Sequence, residues 1–247
     1  MLLVKDVEKS YKKGGLFSKE KQKVLHKVTL ECRAGECLGI IGESGSGKST
    51  LGRMILGVEK PDSGSVTFQE LPTHLRKTRL GKISAVFQDY KSSINPFFTV
   101  KDAILEPLQV LGRKDVGDAR LIDLLKKVGL PGSYLKKYPH ELSGGEVQRV
   151  CIARAIATEP ACILFDEAIS SLDVSVQVQV LNLLKELKSN YDMSFIFITH
   201  DIQAAAYLCD RMIIFKDGQI EETVRTQDLG QVQSSYAKKL LHSLLTI

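Results

Sequence analysis

No run of apolar residues in this 247-residue chain approaches the roughly 18 to 20 that a membrane-crossing helix needs, so no spanning segment is expected. The first residues carry Lys5, Asp6, Glu8 and Lys9 where a secretory signal would place an apolar core, and the expectation is a chain that stays in the cytosol. Low-complexity tracts and internal repeats with a period of about 20 to 50 residues are also missing, which argues against disordered and solenoid classes. The cysteines (Cys32, Cys37, Cys151, Cys162 and Cys209) show no C-x-x-C spacing and sit mostly among aliphatic residues. They read as reduced core side chains rather than a disulfide framework or a zinc site. The histidines (His26, His74, His140, His200 and His242) are scattered without metal-ligand spacing, so no transition-metal site is expected on this chain. An excess of one charge is lacking too: the net charge is +5, much of it in Lys12, Lys13, Lys19, Lys21 and Lys23 around a Gly-Gly turn. That loop reads as solvated, with contact to nucleic acid or anionic lipid as the alternative.

What is present is the material of one large globular domain, with 43% apolar and 26% charged residues and enough length to bury a core. Segments at Leu3 to Val7 and Val24 to Leu30 predict strands flanking the basic loop, an antiparallel entry region. From Glu36 to Ile41 an aliphatic strand runs into a glycine-rich turn, and a helical stretch follows from Lys48 towards Leu56. Further buried strands are expected at Ile83 to Phe87, Ala161 to Phe165, Ser194 to Thr199 and Arg211 to Phe215. The last is followed by a hairpin turn at Lys216-Asp217-Gly218-Gln219. Leu121, Leu124, Leu125 and Val128 recur at helical spacing, as do Val176, Val180, Leu183, Leu184 and Leu187, and again Tyr236, Leu240, Leu241 and Leu244. Strands alternating with helices imply an α/β fold whose mostly parallel sheet is covered on both faces.

Three motifs carry chemistry. Gly42-Glu43-Ser44-Gly45-Ser46-Gly47-Lys48-Ser49, followed by Thr50, fits G-x-x-x-x-G-K-[ST] between a strand and a helix. Its glycines let backbone N–H groups turn inward onto phosphate oxygens, and the helix N-terminus adds its dipole. Lys48 would neutralise the β- and γ-phosphates and the Ser49 hydroxyl would ligate Mg²⁺. Next, Cys162-Ile163-Leu164-Phe165-Asp166-Glu167 ends an apolar strand in two carboxylates, which are costly there unless they act on something. At the strand's carboxyl end Asp166 would hold Mg²⁺, and Glu167 would polarise an attacking water. Last, Leu142-Ser143-Gly144-Gly145-Glu146 reads locally as a capping box before a helix through Val150, Ala153 and Ala155. The same segment offers N–H groups and a hydroxyl at a helix N-terminus, a second phosphate-binding surface. Two such surfaces on one chain suggest a nucleotide shared between two chains.

These motifs together resemble those of the ABC ATPase family, over nearly the whole chain. The resemblance implies a P-loop NTPase core with a mostly parallel sheet, an antiparallel N-terminal β subdomain and a helical subdomain at about 90–158, all in one nucleotide-binding domain spanning 1–247. Leu142 to Glu146 resembles the family signature, usually ending in Gln, so Glu146 is a departure. Ser170-Ser171-Leu172-Asp173 resembles the loop between paired cassettes. His200 resembles the switch histidine that touches the γ-phosphate, Gln88 the glutamine that links Mg²⁺ and water to the transmembrane contact, and Tyr11 the aromatic that stacks on adenine. The family implies ATP held between Lys48 of one cassette and Ser143, Gly144, Gly145, Glu146 and Asp173 of a second. It also implies two transmembrane permease subunits and an extracytoplasmic substrate-binding protein, with the cassette on the cytoplasmic face of the membrane.

Within the family, Gln88-Asp89-Tyr90-Lys91-Ser92-Ser93-Ile94-Asn95-Pro96 and Leu172-Asp173-Val174-Ser175-Val176-Gln177 resemble the peptide and nickel importer subfamily. Gly14-Gly15-Leu16-Phe17, Gln148-Arg149-Val150-Cys151 and Asp166-Glu167-Ala168 look most like the second ATP-binding subunit of nickel importers. The short C-terminus, without the cysteine-bearing extension of many peptide-importer cassettes, leans the same way. Nickel or a nickel chelate is therefore expected as cargo, ahead of di- or oligopeptide, with other transition metals behind. A soluble ABC ATPase acting on nucleic acid or ribosomes would carry two cassettes or a long coiled-coil insertion, and neither fits this sequence. A regulatory module without turnover is disfavoured because Glu167 and His200 are both present.

Overall fold

The computed structural model describes residues 1–13, 20–89, 92–113 and 115–245. Gly14, Gly15, Leu16, Phe17 and Lys19 of the basic turn lie outside the described residues, as do Tyr90 and Lys91 and the side chains of His242 and Leu244. Two compact units are formed, one by Met1–Arg79 with Ser194–Ile247 and the other by Leu80–Met193.

The first unit opens with β1 (Leu2–Lys12), β2 (Lys21–Cys32), β3 (Cys37–Ile41), α1 (Lys48–Ile55), β4 (Ser63–Phe68), β5 (Leu71–Pro72) and the single turn α2 (Arg76–Arg79). The second holds β6 (Ile83–Phe87), α3 (Val100–Val110), α4 (Asp118–Lys127), α5 (Gly144–Ile156), β7 (Cys162–Asp166) and α6 (Val174–Asn190). The chain then returns to the first unit with β8 (Ser194–Thr199), α7 (Ile202–Leu208), β9 (Arg211–Lys216), β10 (Gln219–Arg225) and α8 (Ser235–Leu245).

In the first unit β2, β1, β4 and β5 form an antiparallel sheet in that order. Leu2, Val4 and Val7 of β1 are buried, and the pairing slips between Val4 and Val7, where Asp6 takes φ +49°. A separate ladder sets β3 between β8 and β9, both parallel to it, with Leu38 opposite Ile196 on one side and Arg211 on the other. All five residues of β3 and all six of β8 are buried, which explains why these strands read as unbroken apolar runs. Antiparallel β10 joins β9 through the turn at Asp217 and Gly218, and its alternating exposed and half-buried residues mark an edge strand. Phe195, Phe197 and Phe215 are fully buried here, and truncating any one to alanine would cost about 3–5 kcal/mol. Glu36, expected as part of β3, sits just ahead of it. Its carboxylate accepts Arg211 Nε at 2.8 Å and the Arg33 N–H at 2.8 Å, partners that a wholly apolar strand could not supply.

In the second unit β6 and β7 pair in parallel, with Phe87 opposite Asp166. Helix α4 buries Leu121, Leu124 and Leu125, the spacing that announced it. α3 begins at a Thr99–Asp102 capping box and packs, like α4, on α5. No helix among the described residues is long and apolar enough to cross a membrane.

Candidate functional site

The carboxyl end of β3 positions the first part of the site. After Ile41 the chain bends at Gly42, where an added Cβ would lie 2.0 Å from the Phe215 carbonyl oxygen, so only glycine lets the loop lie this close to β9. Gly47, the residue before α1, gives its helix no side-chain cap. A helix that begins on a glycine aims its first-turn N–H groups and the positive end of its dipole at the loop, where an anion is favoured. Lys48 is only 5% exposed, and its Nζ donates to Gly42 O and Glu43 O, both at 2.7 Å, which fixes the ammonium at the loop's mouth. The loop is braced from behind. Gly218 N–H donates to Ser46 O at 2.9 Å, and the Glu43 N–H reaches the Tyr236 hydroxyl oxygen at 3.4 Å. Because Ile41 pairs with Thr199, His200 emerges exposed at the neighbouring strand end, on the side where the loop begins. The next residue, Asp201, caps α7 by accepting from Ala204 N–H at 3.0 Å. Tyr11, half-buried, lies near the end of β1.

In the second unit the pairing of Phe87 with Asp166 brings Gln88 beside Asp166 and Glu167 at one strand edge. Glu167 adopts φ +51°, a left-handed conformation that side-chain-bearing residues occupy at a cost. A turn holds it there, in which Ser170 donates from both its N–H (3.2 Å) and its hydroxyl (2.9 Å) to Glu167 O. Ser143 caps α5, and Glu146 accepts from the Ser143 N–H at 2.8 Å and hydroxyl at 2.9 Å. A donated bond from the Tyr134 hydroxyl at 2.6 Å, reinforced by the Ser143 N–H, holds the Glu146 carboxyl below the usual carboxylate range. The departure from glutamine at 146 therefore keeps an ionised acceptor that closes the cap. Val176 of α6 packs against Gly145, and Asp173 begins α6, so the signature and the segment from Ser170 to Asp173 belong to one helix pair.

Tyr11, the Gly42 to Thr50 loop and His200 thus share the first unit, whereas Gln88, Ser143 to Glu146, Asp166, Glu167 and Asp173 share the second. Sequence reasoning missed Tyr134 and Tyr236. Each meets the site through a hydrogen bond whose partner is distant in the chain or offset by a turn, a relation that no periodicity encodes.

A family model described as ABC transporter matches residues 25–170. The chain is 52% identical over 248 residues to the metal-staphylopine import system ATP-binding protein CntF of Staphylococcus aureus (strain Mu50 / ATCC 700699), covering 100% of both chains. It is 38% identical over 253 residues to the nickel import ATP-binding protein NikE of Shigella dysenteriae serotype 1 (strain Sd197), covering 99% of this chain and 94% of that one. A solved dimeric structure of an ATP-binding cassette in a post-hydrolysis state, bound to ADP and Pi, matches with a TM-score of 0.80 at 33% identity, covering 92% of this chain and 99% of that one. The family match over residues 25–170 and these end-to-end relatives show that the chain belongs to the ABC transporter family, among the ATP-hydrolysing cassettes of the peptide and nickel importer subfamily.

Proposed function

We propose that this chain is the motor of an importer that takes up a chelated transition metal, nickel among its cargoes. The observation that carries the cargo is the 52% identity, end to end, with a metal-staphylopine import cassette. In this reading the loop from Gly42 to Thr50 binds the triphosphate, Lys48 neutralises the β- and γ-phosphates, and Tyr11 stacks on the adenine. The Ser49 hydroxyl, an Asp166 carboxylate oxygen and the Gln88 amide oxygen would serve as ligands, a set that suits a hard cation such as Mg²⁺. Bound there, Mg²⁺ would supply charge neutralisation at the phosphates. Glu167 accepts the proton of the attacking water, and His200 orients the γ-phosphate. Ser143, Gly144, Gly145, Glu146 and Asp173 contact the nucleotide of a second cassette, identical or not.

ATP-driven pairing of the cassettes would shift two permease subunits between states, and hydrolysis would reset them. The cassette then works peripherally, on the cytoplasmic face of the membrane, with an extracytoplasmic binding protein delivering cargo. The test is uptake of radiolabelled nickel, free or as its staphylopine complex, by cells lacking this subunit. Restored uptake of the complex by the native chain supports the reading. Unchanged metal uptake on deletion, with loss of dipeptide uptake, would replace the cargo by a peptide.

A further inference from the structure

The hydroxyl of Tyr11 is tied to groups that lie far along the chain. It donates to Glu59 Oε2 at 2.6 Å, and the other carboxylate oxygen of Glu59 accepts Arg53 Nε at 2.7 Å. Arg53 belongs to α1, the helix that begins with Lys48, and its Nη2 also reaches the Tyr11 hydroxyl at 3.4 Å and Thr50 Oγ1 at 3.1 Å. Lys9, two residues back on β1, donates to the Lys60 carbonyl at 2.8 Å and places its ammonium 5.5 Å from the Tyr11 ring centre. The end of β1 and the phosphate-loop helix are therefore joined side chain to side chain, through a carboxylate shared by a phenol and a guanidinium. The phenol's bond, with help from Arg53, holds the Glu59 carboxyl below its usual range, so it stays an ionised acceptor at neutral pH.

Partly exposed ion pairs contribute little to stability, so stability alone is a weak reason for this arrangement. Geometry is a stronger one. A ring that must present a face to a base gains affinity when its orientation is fixed beforehand, because the ordering cost is then not charged to binding. We infer that Glu59 and Arg53 are positioning residues that hold the Tyr11 ring for base stacking and set its distance from the phosphate loop. The inference rests on the reading of Tyr11 as the adenine platform.

The test compares two probes, ATP and inorganic tripolyphosphate, by calorimetric titration of the purified full chain. Tyr11→Ala should weaken ATP binding about tenfold, the scale of one base stacked on an aromatic ring, and leave tripolyphosphate binding within about twofold. Glu59→Ala and Tyr11→Phe should each weaken ATP about threefold, the scale of one newly mobile side chain, again sparing tripolyphosphate. Because both remove the same bond, the double variant should bind ATP no more weakly than Glu59→Ala. If Tyr11→Ala weakens ATP but Glu59→Ala and Tyr11→Phe do not, the positioning role is overturned while the platform stands. Unchanged ATP binding by Tyr11→Ala overturns both. Equal losses of ATP and tripolyphosphate in Glu59→Ala would mean that the network holds the phosphate loop rather than the ring, which also overturns it. Should Glu59→Ala fail to fold, Tyr11→Phe decides alone, since it deletes only a hydroxyl.

Discussion

Replacing Gly42 by alanine tests how the phosphate loop is held. The new Cβ would lie 2.0 Å from the Phe215 carbonyl oxygen and 3.1 Å from its carbon, where ordinary contacts begin at about 3.5 Å. Both obstacles are backbone atoms, so no rotamer change relieves the clash. β9 is fixed by ladders to β3 and β10, which leaves the loop as the part that moves. A displacement of about an ångström carries with it the Gly42 and Glu43 carbonyls that hold Lys48. Overpacking of this kind costs about 1–3 kcal/mol, which in a chain of this size lowers the melting temperature by about 2–12 °C. ATP affinity should fall about tenfold to a hundredfold, since the N–H groups and the ammonium no longer converge. The comparison is Gly230→Ala, where nothing lies within 4 Å of the added Cβ and a change within about 0.5 kcal/mol is expected. Thermal melting and calorimetric ATP titration of both variants suffice. A Gly42→Ala chain that melts and binds ATP as the native chain does would refute the reasoning.

Two further outcomes follow from named contacts. Burial pushes the Glu36 carboxyl up, but the Arg211 and Arg33 bonds outweigh this and hold it below its ordinary value of 4.5. Its stabilisation is therefore full above that pH and lost as pH falls below it, so Glu36→Gln should lose about 1.5–3 kcal/mol at neutral pH and show a shallower acid decline in urea titrations; an unchanged slope would count against it. Ser143→Ala should cost about 1 kcal/mol by removing the α5 cap, and Ser143→Asp, which sets a second carboxylate against the ionised Glu146 and faces the partner's nucleotide with a negative charge, should abolish turnover. Native turnover by Ser143→Asp in a phosphate-release assay would remove Ser143 from the contact between cassettes.

The parts of the fold that were legible in the sequence are those in which one short segment contains its own explanation. The strand from Cys37 to Ile41, its glycine loop and the Lys48 helix follow one another directly, and β6 and β8 end where their apolar runs end. The carboxylates Asp166 and Glu167 could be seen because charges at the end of an apolar strand need a reason. By contrast, β4 (Ser-Gly-Ser-Val-Thr-Phe) is absent from the strands expected from sequence, because its pairing with β1 is made only in the folded chain. The left-handed Glu167 and the tie from Tyr11 through Glu59 to Arg53 were hidden for a related reason. Backbone conformation and long-range side-chain partners leave no period and no fixed spacing in the sequence.

The most direct test of the central claim, that one surface binds ATP and a separate carboxylate cleaves it, is ATP binding and steady-state phosphate release measured side by side for the native chain, Lys48→Ala and Glu167→Gln. The account predicts that Lys48→Ala loses both, while Glu167→Gln binds ATP as the native chain does, gathers as a dimer and turns over about a hundredfold or more slowly. Phosphate release by Glu167→Gln at the native rate would contradict it.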